Sequence, residues 1–405
     1  MRHHRKVRGS AGGTNRLEAG DRRRSRAGRG AANDLARASI CLLAAALGAP
    51  GVRAQSHTNL QTVFLLVMEN VNWPTLKTNV GSAPYLVNTL LPMASFCDQF
   101  YTPPGLPGSL PNYFWLEAGT NYGITDSSDP SAHLLHTTNH LTTQLRDAGI
   151  SWKAYVENIS GTNCPTASAG LYAAYHNPFV YFTDIISNAP YCLSHIRPYE
   201  ELAADLASNR VARYNFIIPN LCHDSHNSSG CATADRVKNG DLWMAAELPR
   251  ILGSKAWTNH GALFITWDEG TGGGLSGPIG LILLSPLAKG HGYVSTNRYD
   301  HASTLRTLQE IFGTRPFLQN AARAPSLGDL FQPTIYLTEP GSKADGTFQF
   351  AFGVNPGKTN LVQASTNLTH WLTIGTNVLS GERATFSDGG VTNFRQRLYR
   401  VLQLP

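Results

Sequence analysis

The chain has 405 residues, 42% of them hydrophobic and 15% charged, which is enough apolar material for one large domain plus a small one and excludes a disordered chain. Its formal charge of +6 would suit a nucleic-acid partner, but residues 1–54 hold 12 Lys/Arg against 3 Asp/Glu, leaving 21 basic and 24 acidic residues beyond Ala54. The body of the protein is therefore slightly acidic, and no nucleic-acid partner is expected.

Residues 1–54 read as an export signal with a long basic n-region. An apolar run from Ala38 to Ala49 is followed by small residues at Val52 and Ala54, which predicts cleavage before Gln55. The run is too short to span a bilayer, and no later segment approaches about 18 uninterrupted apolar residues, so the mature protein is expected to have no integral membrane segment. A secreted or periplasmic location follows, and with it an oxidising compartment. There the local pairs Cys164–Cys192 and Cys222–Cys231 are expected to form disulfides, with Cys97 left reduced in the core.

Four apolar runs read as strands covered on both faces: Gln61 to Val67, Tyr214 to Pro219, Ala262 to Trp267 and Ile279 to Leu284. Helical patterns lie between them at Ala83 to Met93, Asn139 to Ala148, Asp241 to Leu252 and His301 to Phe312. This alternation predicts an α/β layered domain over residues 55–332 with a mostly parallel sheet, in which ligands collect outside the carboxyl ends of the strands. From residue 333 to 405 the texture changes. Thr334 to Leu337, Thr347 to Val354, Leu361 to Ser365, Trp371 to Thr376, Arg383 to Phe386 and Arg397 to Leu402 are short alternating runs between turn residues, the pattern of a small C-terminal all-β sandwich module. It holds no cluster of carboxylates, imidazoles or thiols, so catalysis is expected in the first domain, with a stability or spacer role for the module.

Polar side chains gather where the apolar runs stop. Glu69 and Asn70 end the first run, and a carboxylate beside an amide oxygen suits a hard divalent cation. Ser109 follows Pro107-Gly108 and opens a helix-like stretch, where a hydroxyl meets the exposed N–H groups that attract anions; taken alone it reads better as a helix cap. Asp268 and Glu269 end a third run ahead of Gly272, Gly273 and Gly274, an arrangement that would cradle a metal open to substrate. His176, then His223-Asp224-Ser225-His226, then Asp300-His301 supply imidazoles able to contact phosphate, hold a second metal or protonate a leaving alkoxide.

The succession MEN (68–70), GSLPNY (108–113), GISWKAYVEN (149–158), HNPFVYF (176–182), FIIPNLCHDSH (216–226), TWDEG (266–270) and YDH (299–301) resembles the bacterial acid phosphatase and phospholipase C type of phosphoesterase, within the alkaline phosphatase superfamily. The resemblance runs from about Thr58 to Phe331 and implies an alkaline-phosphatase-like three-layer sandwich. It further implies that Glu69, Asn70, Asp268 and Glu269 hold one divalent ion (Mg, Mn, Ca or Zn) together with Ser109, and that Ser109 is the transiently phosphorylated nucleophile. His226 and His301 are implied as proton donors, and His176, Asp224 and Asn112 as phosphate contacts; in relatives with two metals, the positions of Asp224, His226 and His301 build a second site. The substrate is then a phosphate-ester small molecule or a phospholipid head group. Many relatives carry a His-Gly-Gly-Phe-Tyr-Asp-His run after the Asp-Glu pair, whereas here Gly270-Thr271 follows and Asp300-His301 comes about 30 residues later. That departure favours a monoesterase over the alternative, a phospholipase C-type phosphodiesterase. A non-catalytic phosphate or glycan binder would not need the acids, amide and hydroxyl together, and a serine hydrolase would carry a G-x-S-x-G elbow, which Ser109 lacks.

Overall fold

The computed structural model describes residues 56–106, 108–271, 277–332, 337–353, 359–378 and 383–404. Residues 1–54, expected to be an export signal, Pro107, the glycine run 272–274 and residues 334–336 of the first expected module strand lie outside the described residues.

Ten strands come from the first domain: β1 (Thr62–Met68), β2 (Ser95–Cys97), β3 (Phe100–Tyr101), β4 (Trp152–Val156), β5 (Ile196–Pro198), β6 (Tyr214–Ile218), β7 (Gly261–Trp267), β8 (Leu281–Leu284), β9 (Tyr293–Ser295) and β10 (Tyr299–Asp300). Eight of them form one sheet in the order β5-β4-β6-β1-β7-β8-β2-β9. Its pairings are parallel except around β8, which runs against β7 and β2. Every residue of β6 and β7, and every residue of β1 after Thr62, is buried, so both faces are covered and the first domain is the expected layered α/β sandwich with a mostly parallel sheet. Burial on both faces also explains why these strands are continuous apolar runs rather than alternating ones.

The principal helices are α1 (Ser109–Ala118), α2 (Leu141–Asp147), α3 (Arg236–Leu252) and α4 (His301–Phe312). Helix α4 matches its expected span because Asp300 caps it reciprocally with Ser303 and Gly313 ends it at φ 69°. Helix α3 starts five residues earlier than its apolar pattern suggests, at an Asp235 cap on Lys238 N–H. The helix expected over Ala83 to Met93 is instead a π-helical turn, Leu86–Leu90, followed by a short turn at Leu91–Met93. There the buried Asp241 carboxylate accepts from the N–H groups of Tyr85 and Leu86, and Pro92 has no donor to offer.

Both disulfides form as expected, Cys164–Cys192 and Cys222–Cys231, and Cys97 is free and buried. The C-terminal module consists of β11 (Leu337–Ser342), β12 (Phe348–Gly353), β13 (Thr359–Ser365), β14 (Leu372–Val378), β15 (Arg383–Asp388) and β16 (Leu398–Gln403). They make two antiparallel three-stranded sheets, β11-β12-β15 and β14-β13-β16, around Phe348, Phe350, Phe352, Val362 and Val391. Among the described residues no helix is long and apolar enough to cross a membrane.

Candidate active site

The sheet order creates the site. Strand β1 lies between β6 and β7, and its register with β7 pairs Met68 with Trp267. The next residue on each strand, Glu69 and Asp268, is thus brought to the same edge, with Asp268 N–H donating to the Met68 carbonyl at 2.9 Å. From the β6 side, Glu69 N–H donates to the Asp224 carbonyl at 2.7 Å. Three chain segments far apart in sequence therefore converge on one point through backbone pairing alone.

Helix α1 delivers the hydroxyl. Its cap position is Gly108, at φ 86°, a conformation that favours glycine; a Cβ there would also meet Ser127 Oγ at 3.2 Å. Ser109 is consequently the first residue inside the helix and makes no capping bond. Its hydroxyl donates to Glu69 Oε2 at 3.1 Å. The turn before it is pinned from two sides: Gly108 N–H donates to Glu269 Oε2 at 3.0 Å, and Asn112 Nδ2 donates to the Gly108 carbonyl at 2.9 Å.

Three oxygen-bearing side chains, Glu69, Asp268 and Asn70, gather at this hydroxyl. Asp268 Oδ1 accepts from Asn70 N–H at 3.3 Å and from its neighbour Glu269 N–H at 2.6 Å. The Asn70 amide sits 3.1 Å from both Glu69 Oε2 and Asp268 Oδ1. With its NH2 turned toward them the amide donates to both, and with its oxygen turned toward them it presents a third oxygen to the same point. Asn70 reaches this position at φ 42°, a left-handed conformation that asparagine tolerates better than most residues.

Beside it lies a second group. His176 Nε2 is 3.1 Å from Glu69 Oε1, and His176 Nδ1 is 3.3 Å from Asp224 Oδ2. These contacts are close but poorly aligned, so His176 Nε2, Asp224 Oδ2 and also Asp268 Oδ2 are buried without a hydrogen-bond partner. Glu69, His176 and Asp224 offer ligand atoms within 4.8 Å of one another and could hold a metal. Tyr113, one turn into α1, closes the back of this group. Its hydroxyl donates to Glu69 Oε1 at 2.8 Å and its ring stacks on His176 at 5.3 Å.

The electrostatics ask for positive charge. Glu69 is driven well above the usual carboxylate range by burial and by the Asp268 and Asp224 carboxylates. Burial lifts Asp224 to about 8 and Asp268 to about 7, opposed for Asp268 by the Ser109 hydroxyl and two backbone N–H groups. Glu269 rises to about 7 through burial and the neighbouring Asp268. Burial takes His176 down to about 3, so this imidazole is neutral and adds no compensating charge. Orphaned buried oxygens and mutually repelling carboxylates are what a hard divalent cation satisfies, and the donor set fits one.

This has a measurable consequence. With the carboxylates raised in the folded state, the metal-free fold holds protons that the unfolded chain has already released, so stability is full below about pH 4 and declines as pH rises through about 7 to 8. In EDTA the melting temperature is expected to fall between pH 5 and pH 8, and a saturating divalent cation should remove most of that slope. A chelated protein whose melting temperature is flat across this window would mean that the carboxylates do not face one another as described.

The imidazoles differ. His226 is partly exposed, its ring 6.0 Å from that of His176; its backbone N–H donates to Asp224 Oδ1 at 2.7 Å, and its ring Nδ1 faces the Asn227 carbonyl at 3.2 Å. His301 is fully buried, donates from Nε2 to the Asp268 carbonyl at 2.7 Å and packs edge-on against Phe100. Burial lowers it to about 4. The amide of Asn112, expected to face phosphate, turns its NH2 to the Gly108 carbonyl, and its buried Oδ1 has no partner.

Sequence reasoning gave no role to Tyr113 or to Glu157, although both lie in quoted motifs. Glu157 follows β4 and holds the loop that presents Asp224, accepting from Asn220 N–H and His223 Nδ1 at 2.8 Å each and from Trp243 Nε1 at 3.0 Å. The Cys222–Cys231 disulfide closes the same loop, and Gly240 of α3 admits it: a Cβ at Gly240 would lie 2.1 Å from Ser225 Oγ. Nothing local in the sequence marks these as supports for the site.

A family model described as the Phosphoesterase family matches residues 81–315. The chain is 28% identical over 295 residues to a phosphatidylinositol-3-phosphatase of Mycobacterium tuberculosis, a match covering 72% of this chain and 90% of that protein. It is 26% identical over 333 residues to phospholipase C A of the same species, covering 67% of this chain but only 62% of the relative. Among solved structures it is similar to a protein in the alkaline phosphatase superfamily from Vibrio parahaemolyticus, with a TM-score of 0.43, 11% identity and coverage of 80% of this chain and 84% of that one.

Proposed function

The chain belongs to the phosphoesterase family and is a phosphoric ester hydrolase, and from the geometry of its site we propose that it is an exported, metal-dependent monoesterase acting through a phosphoserine at Ser109. The observation that carries the proposal is the placement of the Ser109 hydroxyl at a helix start, off the cap position and aimed at Glu69 Oε2 within a ring of buried oxygens.

Glu69, Asn70, Asp268 and the Ser109 oxygen would hold the divalent cation, with Glu269 fixing the Gly108 turn beside them. Such an ion would polarise the phosphate ester and lower the pKa of the serine hydroxyl. The residues supply the remainder. Ser109 Oγ attacks phosphorus as its proton leaves toward Glu69 Oε2, and the alkoxide departs on the opposite side. His226 is better placed than His301 to give that alkoxide a proton, because it is partly exposed and its Nε2 makes no hydrogen bond among the described residues, whereas His301 spends Nε2 on the Asp268 carbonyl. Water then attacks the phosphoseryl group and restores the hydroxyl. The group formed by Glu69, His176 and Asp224 is the position for a second ion, or, with the first site filled, a neutral wall behind the phosphate.

The near-complete coverage of the phosphatase relative, against 62% of the phospholipase C, supports small phosphate monoesters or exposed phosphoinositide head groups as substrates. The test uses purified protein, chelated and then given Mg, Mn, Ca or Zn singly, with p-nitrophenyl phosphate and p-nitrophenylphosphorylcholine as substrates. Turnover of the monoester in preference to the diester, restored by a cation, is expected. Preference for the diester would favour the phospholipase C reading, and phosphate binding without turnover under any metal would replace both with a binding protein.

A further inference from the structure

Outside the site, one buried charged cluster has no part in the chemistry yet grips the helix that carries the nucleophile. His140 precedes α2 and is completely buried. Its Nδ1 lies 3.3 Å from Glu117 Oε1 and 3.0 Å from Thr142 Oγ1, while its Nε2 lies 3.0 Å from Asp184 Oδ1 and 2.9 Å from Thr143 Oγ1. Both threonine hydroxyls spend their protons elsewhere: Thr142 donates to Glu117 at 2.8 Å and Thr143 to Asp184 at 2.9 Å. Each ring nitrogen therefore faces acceptors only, and a neutral imidazole, with one N–H, could satisfy one side and not the other. The geometry calls for an imidazolium, and the two carboxylates hold His140 above its ordinary value in spite of its burial.

The cluster joins three elements. Glu117 sits at the C-terminal end of α1, eight residues or about 12 Å from Ser109 along the helix. Asp184 lies in the short helix Thr183–Ile186, which follows the segment bearing His176. The ring of His140 stacks on Phe182 at 3.9 Å, and Phe182 in turn meets Phe114 of α1. Glu117 is fully buried at a helix C-terminus, where the dipole disfavours a negative charge, and its Oε2 has no partner; His140 supplies the nearest positive charge to it.

We propose that His140 is a positioning residue for the nucleophile, its imidazolium clamping Glu117 of α1 to Asp184 and so fixing the depth and rotation at which α1 presents Ser109. The proposal rests on the reading of Ser109 given above. It makes the site sensitive to pH through a group that never touches substrate. The charged and titratable groups around the clamp are Glu117 from α1, Asp184 from the short helix, Arg146 from α2, the buried phenol of Tyr214 from β6 and the phenols of Tyr122 and Tyr191. Because the folded state raises His140, the clamp's stabilisation is full below about pH 6.5 and is lost as pH climbs through the raised value. Arg146 still faces Asp184 at that point, but Glu117 is left without a counter-charge.

The test compares wild type, H140Q, the double variant E117Q/H140Q and S109A, with saturating cation throughout. H140Q should lower kcat on the order of 10-fold with little change in KM, since a tilted helix misaims an attack rather than weakening binding. E117Q/H140Q, which removes the stranded carboxylate, should regain most of the lost melting temperature. Wild type should lose melting temperature on the alkaline side of about pH 6.5, and H140Q should not. The same alkaline loss should appear in S109A, which reads the clamp without turnover, so a failed nucleophile assignment would show as an active S109A while leaving this arm intact. H140Q with wild-type kcat from pH 6 to 9, or equal pH dependence of melting in wild type and H140Q, would overturn the proposal.

Discussion

Replacing Ser109 with alanine should lower kcat by about 10³-fold or more while leaving the fold in place. The expectation of an intact fold comes from the helix geometry. Ser109 is inside α1 rather than capping it, so the substitution removes no capping bond and exchanges a residue for the best helix former. What it removes is the 3.1 Å hydrogen bond to Glu69, a group whose burial already makes it uncomfortable as an anion. A denaturation midpoint close to wild type should therefore accompany the collapse in turnover. A second readout isolates the intermediate: acid quenching with ³²P-labelled monoester should leave label on the wild-type chain and none on S109A. Turnover at the wild-type rate in S109A would remove the nucleophile assignment outright.

The glutamate opposite it should respond in the reverse sense for stability and in the same sense for activity. Glu69→Gln keeps the shape but has one oxygen where Ser109 and Tyr113 now donate to two, so one of these hydroxyls must turn to accept from the new NH2; it removes the most crowded negative charge in the site. Cation affinity should fall by roughly 10²-fold or more and kcat/KM with it, since the amide is a weaker ligand than the carboxylate and the ion loses its central partner. The metal-free variant, in contrast, should melt at or above the temperature of the metal-free wild type, because a buried carboxylate facing two others has been neutralised. Calorimetry with and without EDTA, beside a cation titration, distinguishes these effects. A variant that is both fully active and unchanged in cation affinity would show that this oxygen cluster is not the metal site.

Much of this could be read before any tertiary information, because strands buried on both faces announce themselves. The runs that became β1, β6 and β7 are apolar at nearly every position, and the first polar residues after them, at 69 and 268, had to be at an edge. Helix α4 was bounded correctly by its own capping residues. Strands β2, β4, β5 and β9 escaped notice because three to five residues carry too little periodicity, and β4 holds a lysine that its sheet position tolerates only by pairing with Asp205. The role of Ser109 was ambiguous for a local reason: serine at a helix start is most often a cap. The positive φ of Gly108, which pushes the cap one residue upstream, resolves it.

The sequence by itself determined the layered α/β class, the antiparallel module, both disulfides and the identity of the chemical groups, since burial pattern, turn residues and cysteine spacing are local properties of the chain. Tertiary structure alone decided which groups meet. The order β6-β1-β7 sets Glu69 between Asp224 and Asp268, it folds Tyr113 and His176 in behind them, it turns Asn112 toward the Gly108 loop, and it encloses His140 between two carboxylates. Register and strand order arise from the joint packing of segments 100 to 200 residues apart, and no local stretch of sequence carries that information.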